Sequence, residues 1–198
     1  MYSSGNVYPF WPADSEGPRE NDPVGPVGEY AQSVLGRERV FEHFSRLQKT
    51  PMVVLRLNYA NEPRYGVLVD IATRVLSGEP VDLTTGTVNV LWQGDSNRWT
   101  LSALDLVQSP PAILNLSGPK VRVREVADRF GRALGVAPRF TGEEAPTALL
   151  NDGSRAREIF GPPRAGVEEM IRRIADWLRA GGDTWKKPTR FEVRDGRF

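Results

Sequence analysis

The chain has 198 residues, the length of one domain or of one domain with a small lobe. Hydrophobic residues make up 39% of it and charged residues 26%, and the formal net charge of +1 gives no reason to expect nucleic-acid binding. The absence of cysteine excludes disulfides, thiolate metal sites and cysteine nucleophiles, and no other ligand cluster predicts a metal. No apolar run approaches the ~20 residues of a membrane span, and no signal-peptide pattern is present. We therefore expect a cytoplasmic protein that does not contact a membrane.

The first residues predict a strand end followed by a long loop. Residues 1–8 are expected to end a buried strand that turns at Gly5 and Asn6. Residues 9–28 contain so many prolines and glycines that they predict an ordered surface loop. Because so short a strand has no sheet of its own to join, we interpret Met1 as an internal or misassigned start, or as the edge of a fragment.

A helix and a strand are predicted next. Residues 28–49 show helical periodicity, and Thr50 and Pro51 end it. The side chains expected on its buried face are Tyr30, Val34, Phe41, Phe44 and Gln48. Residues 52–57 form a continuous apolar run, which is typical of a strand covered on both faces. Arg56, inside this run, is expected to form a buried ion pair rather than to bind phosphate.

The rest of the chain alternates between helical and strand patterns. The predicted helices cover 65–77, 95–107, 123–134 and 167–178, and the predicted strands cover 88–92, 112–116 and 136–140. Residues 141–166 predict a polar connector rich in glycine and proline, and the basic tail from Trp185 to Phe198 predicts an extended or frayed end.

Five segments together carry a family resemblance. They are the Ser-Ser-Gly-Asn-Val-Tyr run at 3–8, Tyr-Ala-Gln-Ser at 30–33 with Glu38, Leu-Arg-Leu-Asn-Tyr-Ala at 55–60 with Tyr65 and Gly66, residues 88–95 with 113–118, and residues 151–163. None of the five is specific alone, but in this order and spacing they resemble the later part of an extended short-chain dehydrogenase/reductase, the NAD-dependent epimerase/dehydratase family. The resemblance covers nearly the whole chain.

The resemblance implies a role for six residues. In the family a serine hydrogen-bonds the reacting oxygen, and a tyrosine exchanges a proton with a sugar hydroxyl while NAD or NADP exchanges the hydride. Carried over to this sequence, the implied catalytic residues are Ser4 and Tyr30, the cofactor contacts Tyr30 and Asn58, and the substrate contacts Asn6, Tyr8, Asn58 and Tyr59. The acidic or basic residue that would decide between NAD and NADP is not found in this sequence.

Two departures from the family pattern bear on catalysis. The family lysine four residues after the tyrosine is Val34 here, and no glycine-rich nucleotide-binding segment precedes Ser3. An ordinary phenol keeps its proton at neutral pH, so a tyrosine needs a nearby cation to act as a base. Val34 cannot supply that cation or hold the ribose. Tyr30 is therefore expected to be a weaker base than its family counterpart.

The turn after the first strand also narrows the chemistry. Sugar dehydratases of the family place an Asp-Glu pair directly after the hydroxyl residue, because elimination needs its own acid and base. Gly5 and Asn6 occupy those positions here. The sequence therefore disfavours a 4,6-dehydratase, and epimerase, reductase or no catalysis remain open.

The expected fold is α/β, a remnant of a Rossmann-type doubly wound parallel sheet with a small α/β substrate-binding lobe. Residues 1–58 would belong to the NAD(P)-binding domain, residues 59–183 to the lobe and residues 184–198 to a tail. Family members return strands like those within 88–118 to the Rossmann sheet, so the two units need not be continuous in sequence.

Three hypotheses about function follow from the resemblance. The first is an NAD(P)-dependent epimerase/dehydratase-like oxidoreductase acting on a nucleotide-sugar-type small molecule, incomplete and inactive in the chain as given. The second is a non-catalytic, dinucleotide-responsive binding or regulatory protein of the same fold, which would tolerate Val34. The third is a structural fragment that forms a homodimer through the Tyr30 helix, as family members do.

Overall fold

The computed structural model describes residues 1–197; Phe198, the last residue of the predicted tail, lies outside the described residues. The α-helices of the described chain are α1 Gly28–Gln48, α2 Val67–Ser77, α3 Gln93–Ser102, α4 Val123–Leu134, α5 Ser154–Phe160 and α6 Val167–Arg179. Two short 3-10 helices, Gly5–Val7 and Ala103–Leu106, follow β1 and α3. No helix within residues 1–197 is long and apolar enough to cross a membrane.

A parallel sheet of three strands forms the centre of the molecule. Its order is β1-β3-β8, with Tyr2 opposite Leu55 and Leu55 opposite Leu114. The strands in chain order are β1 Tyr2–Ser4, β2 Trp11–Pro12, β3 Val53–Leu57, β4 Ala60–Asn61, β5 Val81–Asp82, β6 Thr87–Asn89, β7 Leu91–Trp92, β8 Ala112–Leu116, β9 Lys120–Arg122, β10 Phe140–Thr141 and β11 Thr147–Ala148. The eight strands outside this sheet pair two by two: β2 with β11 and β6 with β9 antiparallel, and β4 with β7 and β5 with β10 parallel.

Helices cover both faces of the central sheet, which confirms the expected α/β class with a parallel, Rossmann-like sheet. The first core lies on one face, where Val53 and Leu55 of β3 pack with Trp99 of α3 and Ala156 of α5. α1 lies on the other face, next to β1 and Arg56. Burial on both faces explains why β3 reads as an unbroken apolar run in the sequence.

A second core belongs to the lobe formed by α2, α4 and α6. Its largest buried side chains include Leu68, Ile71, Phe130, Met170 and Ile174. These residues recur at helical spacing on one side of each helix, which is why the three helices could be predicted from periodicity.

The buried face of α1 differs from the predicted one. Phe41 and Phe44 are 46% and 49% exposed, so the prediction that they face the core is wrong. The buried positions are instead Ala31, Val34, Glu38 and Ser45. These positions also follow three-, four- and seven-residue steps, but a carboxylate and small residues occupy them. A periodicity argument that counts only apolar residues therefore selects the wrong face.

Three other local predictions are corrected. The strand predicted over 88–92 is two short strands, β6 and β7, with different partners. The strand predicted over 136–140 is reduced to the two residues of β10, and the connector over 141–166 contains β11 and α5. The seven residues of α5 are too few to give a clear helical period in the sequence.

The described part of the tail, residues 185–197, has no regular secondary structure but is not frayed. Phe191 is 3% exposed and belongs to the core of the lobe, and Thr189 donates two hydrogen bonds to Asp70. One apolar anchor and several specific polar contacts fix a segment that has no regular secondary structure. Its composition resembles a solvated end, because within residues 185–197 only Phe191 is deeply buried.

Candidate active site

A cleft of about 700 Å³ opens at the carboxyl ends of β1 and β3. Its walls come from the turn after β1, the first turn of α1, the segment after β3, the start of α2 and the tail. It contains five of the six predicted site residues, namely Ser4, Asn6, Tyr30, Asn58 and Tyr59. Ligands of open α/β sheets bind at the carboxyl ends of the strands, which makes this cleft the candidate site.

The turn after β1 presents the hydroxyl of Ser4. The Ser4 Oγ accepts a hydrogen bond of 3.2 Å from the backbone N–H of Asn6, which caps the first 3-10 helix. A hydroxyl that accepts such a bond keeps its own hydrogen as a donor. Ser4 can therefore donate to an oxygen atom that enters the cleft.

Gly5 is required by the close packing under this turn. A methyl group built on Gly5 would lie 2.8 Å from Asn151 Oδ1 and 3.0 Å from Asn58 Cγ. Any larger residue would push the turn away from these two asparagines, and Ser4 with it. Only glycine therefore fits between Ser4 and Asn6 without displacing the turn.

Tyr30 enters the cleft from the first turn of α1. It is the third residue of the helix, and its side chain is 49% exposed. The Ser33 hydroxyl donates a 2.7 Å hydrogen bond to the Tyr30 carbonyl oxygen, which fixes the backbone at this point. The helix start therefore holds a phenol at the same cleft as the Ser4 hydroxyl.

Val34 lies one helical turn beyond Tyr30 but does not line the cleft. It is 3% exposed and packs with Val7 and Tyr8 in a small apolar cluster. No cation reaches the cleft from this position. The charged side chains among the described residues that line the cleft are Lys187 and Arg190, and both come from the tail.

Two further tyrosines line the cleft as neutral donors. Burial, and then the charge of Glu192, raises the pKa of the Tyr59 phenol. Burial, and then the charge of Asp70, raises the pKa of Tyr65. Both phenols therefore keep their protons at neutral pH. Tyr59 also adopts a φ of 41°, which is uncommon for a bulky residue and marks a backbone position fixed by its surroundings.

Three asparagines form a buried layer under the cleft. The Asn58 side-chain amide lies 3.4 Å from Asn89 Oδ1, which also accepts a 3.1 Å bond from the Asn151 backbone N–H. The Asn151 side chain in turn donates to the Arg56 carbonyl at 3.2 Å. Asn89 and Asn151 were not among the predicted site residues. Their positions in the sequence gave no such signal, because only the tertiary fold brings them under Asn58.

Tyr8, a predicted substrate contact, does not line the cleft. Its side chain is fully buried, and its hydroxyl lies 2.9 Å from Asn115 Oδ1 and 3.0 Å from the Arg19 carbonyl oxygen. It also accepts a 2.8 Å bond from Arg56 Nη1. Burial raises the pKa of Tyr8 and outweighs the opposite effect of the Arg56 charge. The phenol is thus a neutral structural group.

Arg56 forms the ion pair expected for it. Its guanidinium binds Glu38 through two hydrogen bonds of 3.0 and 2.8 Å, and both side chains are nearly inaccessible. The Ser3 hydroxyl also donates to the Glu38 carboxylate. We call Ser3, Tyr8, Glu38, Arg56 and Asn115 the buried network. It joins β1, α1, β3 and β8 directly beneath the turn that presents Ser4.

A second groove, of about 760 Å³, lies between β6, β9 and α4. Charged side chains of both signs line it: Asp14, Lys120, Arg122, Glu125, Arg129 and Glu144. None of the predicted site residues lines it. Among the described residues, no serine and tyrosine face each other in this groove, and its charges are of both signs. The cleft at the sheet end therefore remains the candidate site.

Comparisons with known proteins were made at the level of sequence and of structure. No family model and no curated protein matches the sequence. Solved structures do match. The UDP-glucose 4-epimerase of Thermus thermophilus, in complex with NAD, superposes with a TM-score of 0.74 at 24% identity, over 90% of this chain and 63% of that one.

Two more solved structures show the same likeness. A mutant UDP-glucuronic acid 4-epimerase of Bacillus cereus, with NAD and a fluorinated UDP-sugar, gives a TM-score of 0.77 at 16% identity, over 90% of this chain and 60% of that one. A mutant dTDP-glucose 4,6-dehydratase of Streptomyces venezuelae gives 0.73 at 20% identity, over 90% and 59%.

These likenesses confirm the resemblance inferred from the sequence at the level of the fold. The chain has the fold seen in part of the NAD-dependent nucleotide-sugar epimerases and dehydratases, and it spans about 60% of the length of the solved structures it matches.

Proposed function

We propose that this chain belongs to the extended short-chain dehydrogenase/reductases and that its cleft receives the sugar end of a nucleotide sugar in an NAD(P)-linked oxidoreductase site. One observation carries the proposal: the Ser4 hydroxyl, after a parallel strand, and the Tyr30 phenol, at the next helix start, line one cleft. A cytoplasmic location is part of the same proposal.

In this proposal the two hydroxyls act on one substrate oxygen. Ser4 donates a hydrogen bond to the sugar hydroxyl or carbonyl, and Tyr30 holds or moves the proton on the same oxygen. Asn6, Asn58 and Tyr59 line the surrounding walls and would contact the sugar. NAD or NADP, when bound, would supply hydride exchange at the carbon that carries this oxygen.

The residues of this chain fit the reacting end of such a cofactor better than its ribose. Tyr30 and Asn58 face the cleft and would be the contacts to NAD(P). The position from which a lysine would hold the ribose is Val34, buried against Val7 and Tyr8. We therefore assign proton handling and substrate binding to this chain and derive no step through the cofactor.

The burial of Val34 favours a second candidate function. A protein that binds a dinucleotide and a sugar without turnover needs the cleft but not the cation beside the phenol. Such a binding or regulatory protein would bind NAD or a nucleotide sugar and convert neither. A titration with NAD, run beside an assay for conversion of UDP-glucose, separates the two functions by turnover.

A homodimer through α1 is also part of the proposal. Four apolar side chains on the outer side of α1 are between 46% and 65% exposed: Val40, Phe41, Phe44 and Leu47. An apolar stripe of this kind on a helix is typical of an interface. Phe44→Asp is expected to convert a dimer into a monomer in sedimentation velocity. Leu76→Asp, at an equally exposed leucine on α2, should leave the dimer intact, and a wild-type monomer would contradict the proposal.

The site itself is tested by comparing UDP-glucose with UDP in isothermal titration calorimetry. The sugar should strengthen binding, and Ser4→Ala and Tyr30→Phe should each remove part of that gain. The loss of one neutral hydrogen bond corresponds to a roughly 2- to 10-fold weaker binding of UDP-glucose.

The controls are a serine and a tyrosine that do not line the cleft. Ser102→Ala and Tyr2→Phe remove the same atoms as the test variants but should leave the preference for UDP-glucose unchanged. An equal affinity for UDP and UDP-glucose in the wild type, or equal losses in the control variants, would refute the proposed site.

A further inference from the structure

The tail after α6 returns to the cleft and is anchored at its near end beside α2. The backbone N–H of Trp185 donates a 3.0 Å hydrogen bond to the Arg64 carbonyl oxygen. The Trp185 ring stacks on Tyr65 with ring centres 5.4 Å apart, and Tyr65 lines the cleft. This end of the tail therefore lies against one wall of the site.

The middle of the tail is anchored more firmly. Thr189 donates to the Asp70 carboxylate through its backbone N–H at 2.7 Å and its hydroxyl at 2.6 Å. Phe191 is buried in the lobe core, and Glu192 pairs with Arg74 at 2.5 Å. Side chains of α2 thus fix the tail on both sides of Arg190.

The far end of the tail reaches the start of α1. Arg194 donates a 2.7 Å hydrogen bond to the Thr147 carbonyl oxygen. The backbone of Gly196 lies so close to Gly28 that a methyl group on Gly28 would be 2.3 Å from the Gly196 carbonyl oxygen. Gly28 begins the helix that carries Tyr30. We call residues 185–196 the strap, because it bridges the starts of α2 and α1 across one side of the cleft.

The charged side chains that line the cleft belong to the strap. Lys187, Pro188, Thr189 and Arg190 line it, and Lys187 and Arg190 are exposed. Within residues 1–197 neither cation has a hydrogen-bond or ion-pair partner, and no carboxylate lines the cleft. The nearby carboxylates Asp70 and Glu192 are already bonded to Thr189 and Arg74. The residues from 1 to 197 thus provide no counter-charge for these two cations.

The starts of α1 and α2 add further positive charge to the cleft. The first turn of α1 contributes Tyr30 to the cleft, and the first residue of α2, Val67, lines it with Gly66. A helix start carries a partial positive charge and favours anions nearby. Two helix starts and two cations that have no partner among the described residues therefore make the cleft electropositive, although the whole chain has a net charge of only +1.

We propose that the strap is a ligand-binding element, and that Lys187 and Arg190 bind the diphosphate of the ligand whose sugar oxygen meets Ser4 and Tyr30. The identity of the ligand rests on the proposed function, whereas anion binding rests on the strap alone. Lysine binds phosphate as a point charge and arginine binds it through two parallel N–H groups. The strap would thus supply cations that α1, with Val34, does not bring to the cleft.

The test measures the binding of UDP, inorganic pyrophosphate and uridine to the full chain by isothermal titration calorimetry. The test variant is Lys187→Gln with Arg190→Gln. The control variant, Lys186→Gln with Arg197→Gln, removes the same charge from exposed tail positions that do not line the cleft. Because all four side chains are exposed, both variants should retain the thermal unfolding of the wild type.

We expect UDP and pyrophosphate to bind the wild type, and the test variant to bind each of them at least about tenfold more weakly, since hydrogen bonds to charged groups are the strong ones. The control variant should bind UDP as the wild type does, and added salt should weaken binding to the wild type. Uridine lacks the diphosphate, so its affinity should be the same for the wild type and for both variants.

If both double variants bound UDP more weakly by the same factor, the inference would be overturned, because the loss would then reflect only the change in net charge. No binding of UDP and pyrophosphate to the wild type would also overturn it. A failure of the proposed function would look different. UDP-glucose would then bind no more tightly than UDP, whether or not Lys187 and Arg190 contribute to binding.

Discussion

The start and the middle of helix α1 use polar side chains in opposite ways. In its middle, Glu38 is 4% exposed and fully engaged by Arg56 and Ser3. At its start, Tyr30 is half-exposed in a cleft whose cations, Lys187 and Arg190, have no partner in the described chain. A buried charge must be paired if the chain is to fold, whereas an exposed group at a strand end is available to a ligand.

The buried network nevertheless supports the cleft. Ser3, which bonds Glu38, is the direct neighbour of Ser4, and Arg56 lies two residues before Asn58. Residues of the network therefore fix the backbone from which cleft residues project. We expect mutations in the network to lower stability and mutations in the cleft to lower binding, and the following variants test that division.

The largest expected effect is that of Glu38→Gln. This variant keeps the shape of the side chain but leaves the Arg56 guanidinium buried without its counter-charge. Removing one partner of a buried pair lowers the free energy of unfolding by about 3–5 kcal/mol. Urea denaturation followed by circular dichroism measures the difference.

Glu42→Gln is the matched control on the same helix. Glu42 pairs with Arg46 at 2.9 Å, but both side chains are accessible to water. The Arg46 hydrogen bond lowers the pKa of Glu42, and an exposed pair of this kind contributes only about 0.3–0.5 kcal/mol. Similar losses in the two variants would mean that the network is not buried as described.

A somewhat smaller effect is expected from Val34→Lys. The new ammonium would be placed among Val7 and Tyr8, where burial disfavours its charged form. If its pKa falls by about 2 units in the folded state, the variant loses about 3 kcal/mol at neutral pH. Val34→Met, an apolar side chain, should lose much less.

The pH dependence identifies the cause of that loss. A lysine with a folded-state pKa below its unfolded value destabilises the protein while it is charged, so the deficit should shrink as the pH rises towards ~10. Urea denaturation at several pH values measures this. A Val34→Lys variant with wild-type stability at pH 7 would show instead that the ammonium escapes burial, and would contradict the contrast between the start and the middle of α1.

Much of the fold could be predicted because periodicity is a strong signal where apolar residues dominate. β8 and α4 have the predicted bounds: β8 is a short, mostly apolar run, and the buried residues of α4 recur at helix spacing. The buried face of α1 could not be predicted, because Glu38 lies at its centre and a carboxylate is not counted as a core residue. Its burial depends on Arg56, which comes from another element.

Some residues of the candidate site could likewise be predicted from the sequence, and others could not. Ser4, Asn6, Tyr30, Asn58 and Tyr59 belong to short motifs whose order predicts that they lie together, and the structure brings all five to the cleft. Lys187 and Arg190 lie far along the chain, in a segment that resembles a solvated tail. Tertiary contacts, among them the burial of Phe191 and the bonds from Thr189 to Asp70, bring them back to the site.

The most direct test of the central claim is a nuclear magnetic resonance titration of the 15N-labelled full chain with UDP-glucose. We expect the resonances of the backbone amides at Ser4, Asn6, Asn58, Gly66 and Arg190, which line the cleft, to shift, while those of the second groove, such as Gly86 and Val121, do not shift. Shifts confined to the second groove, or none at saturating UDP-glucose, would contradict the central claim.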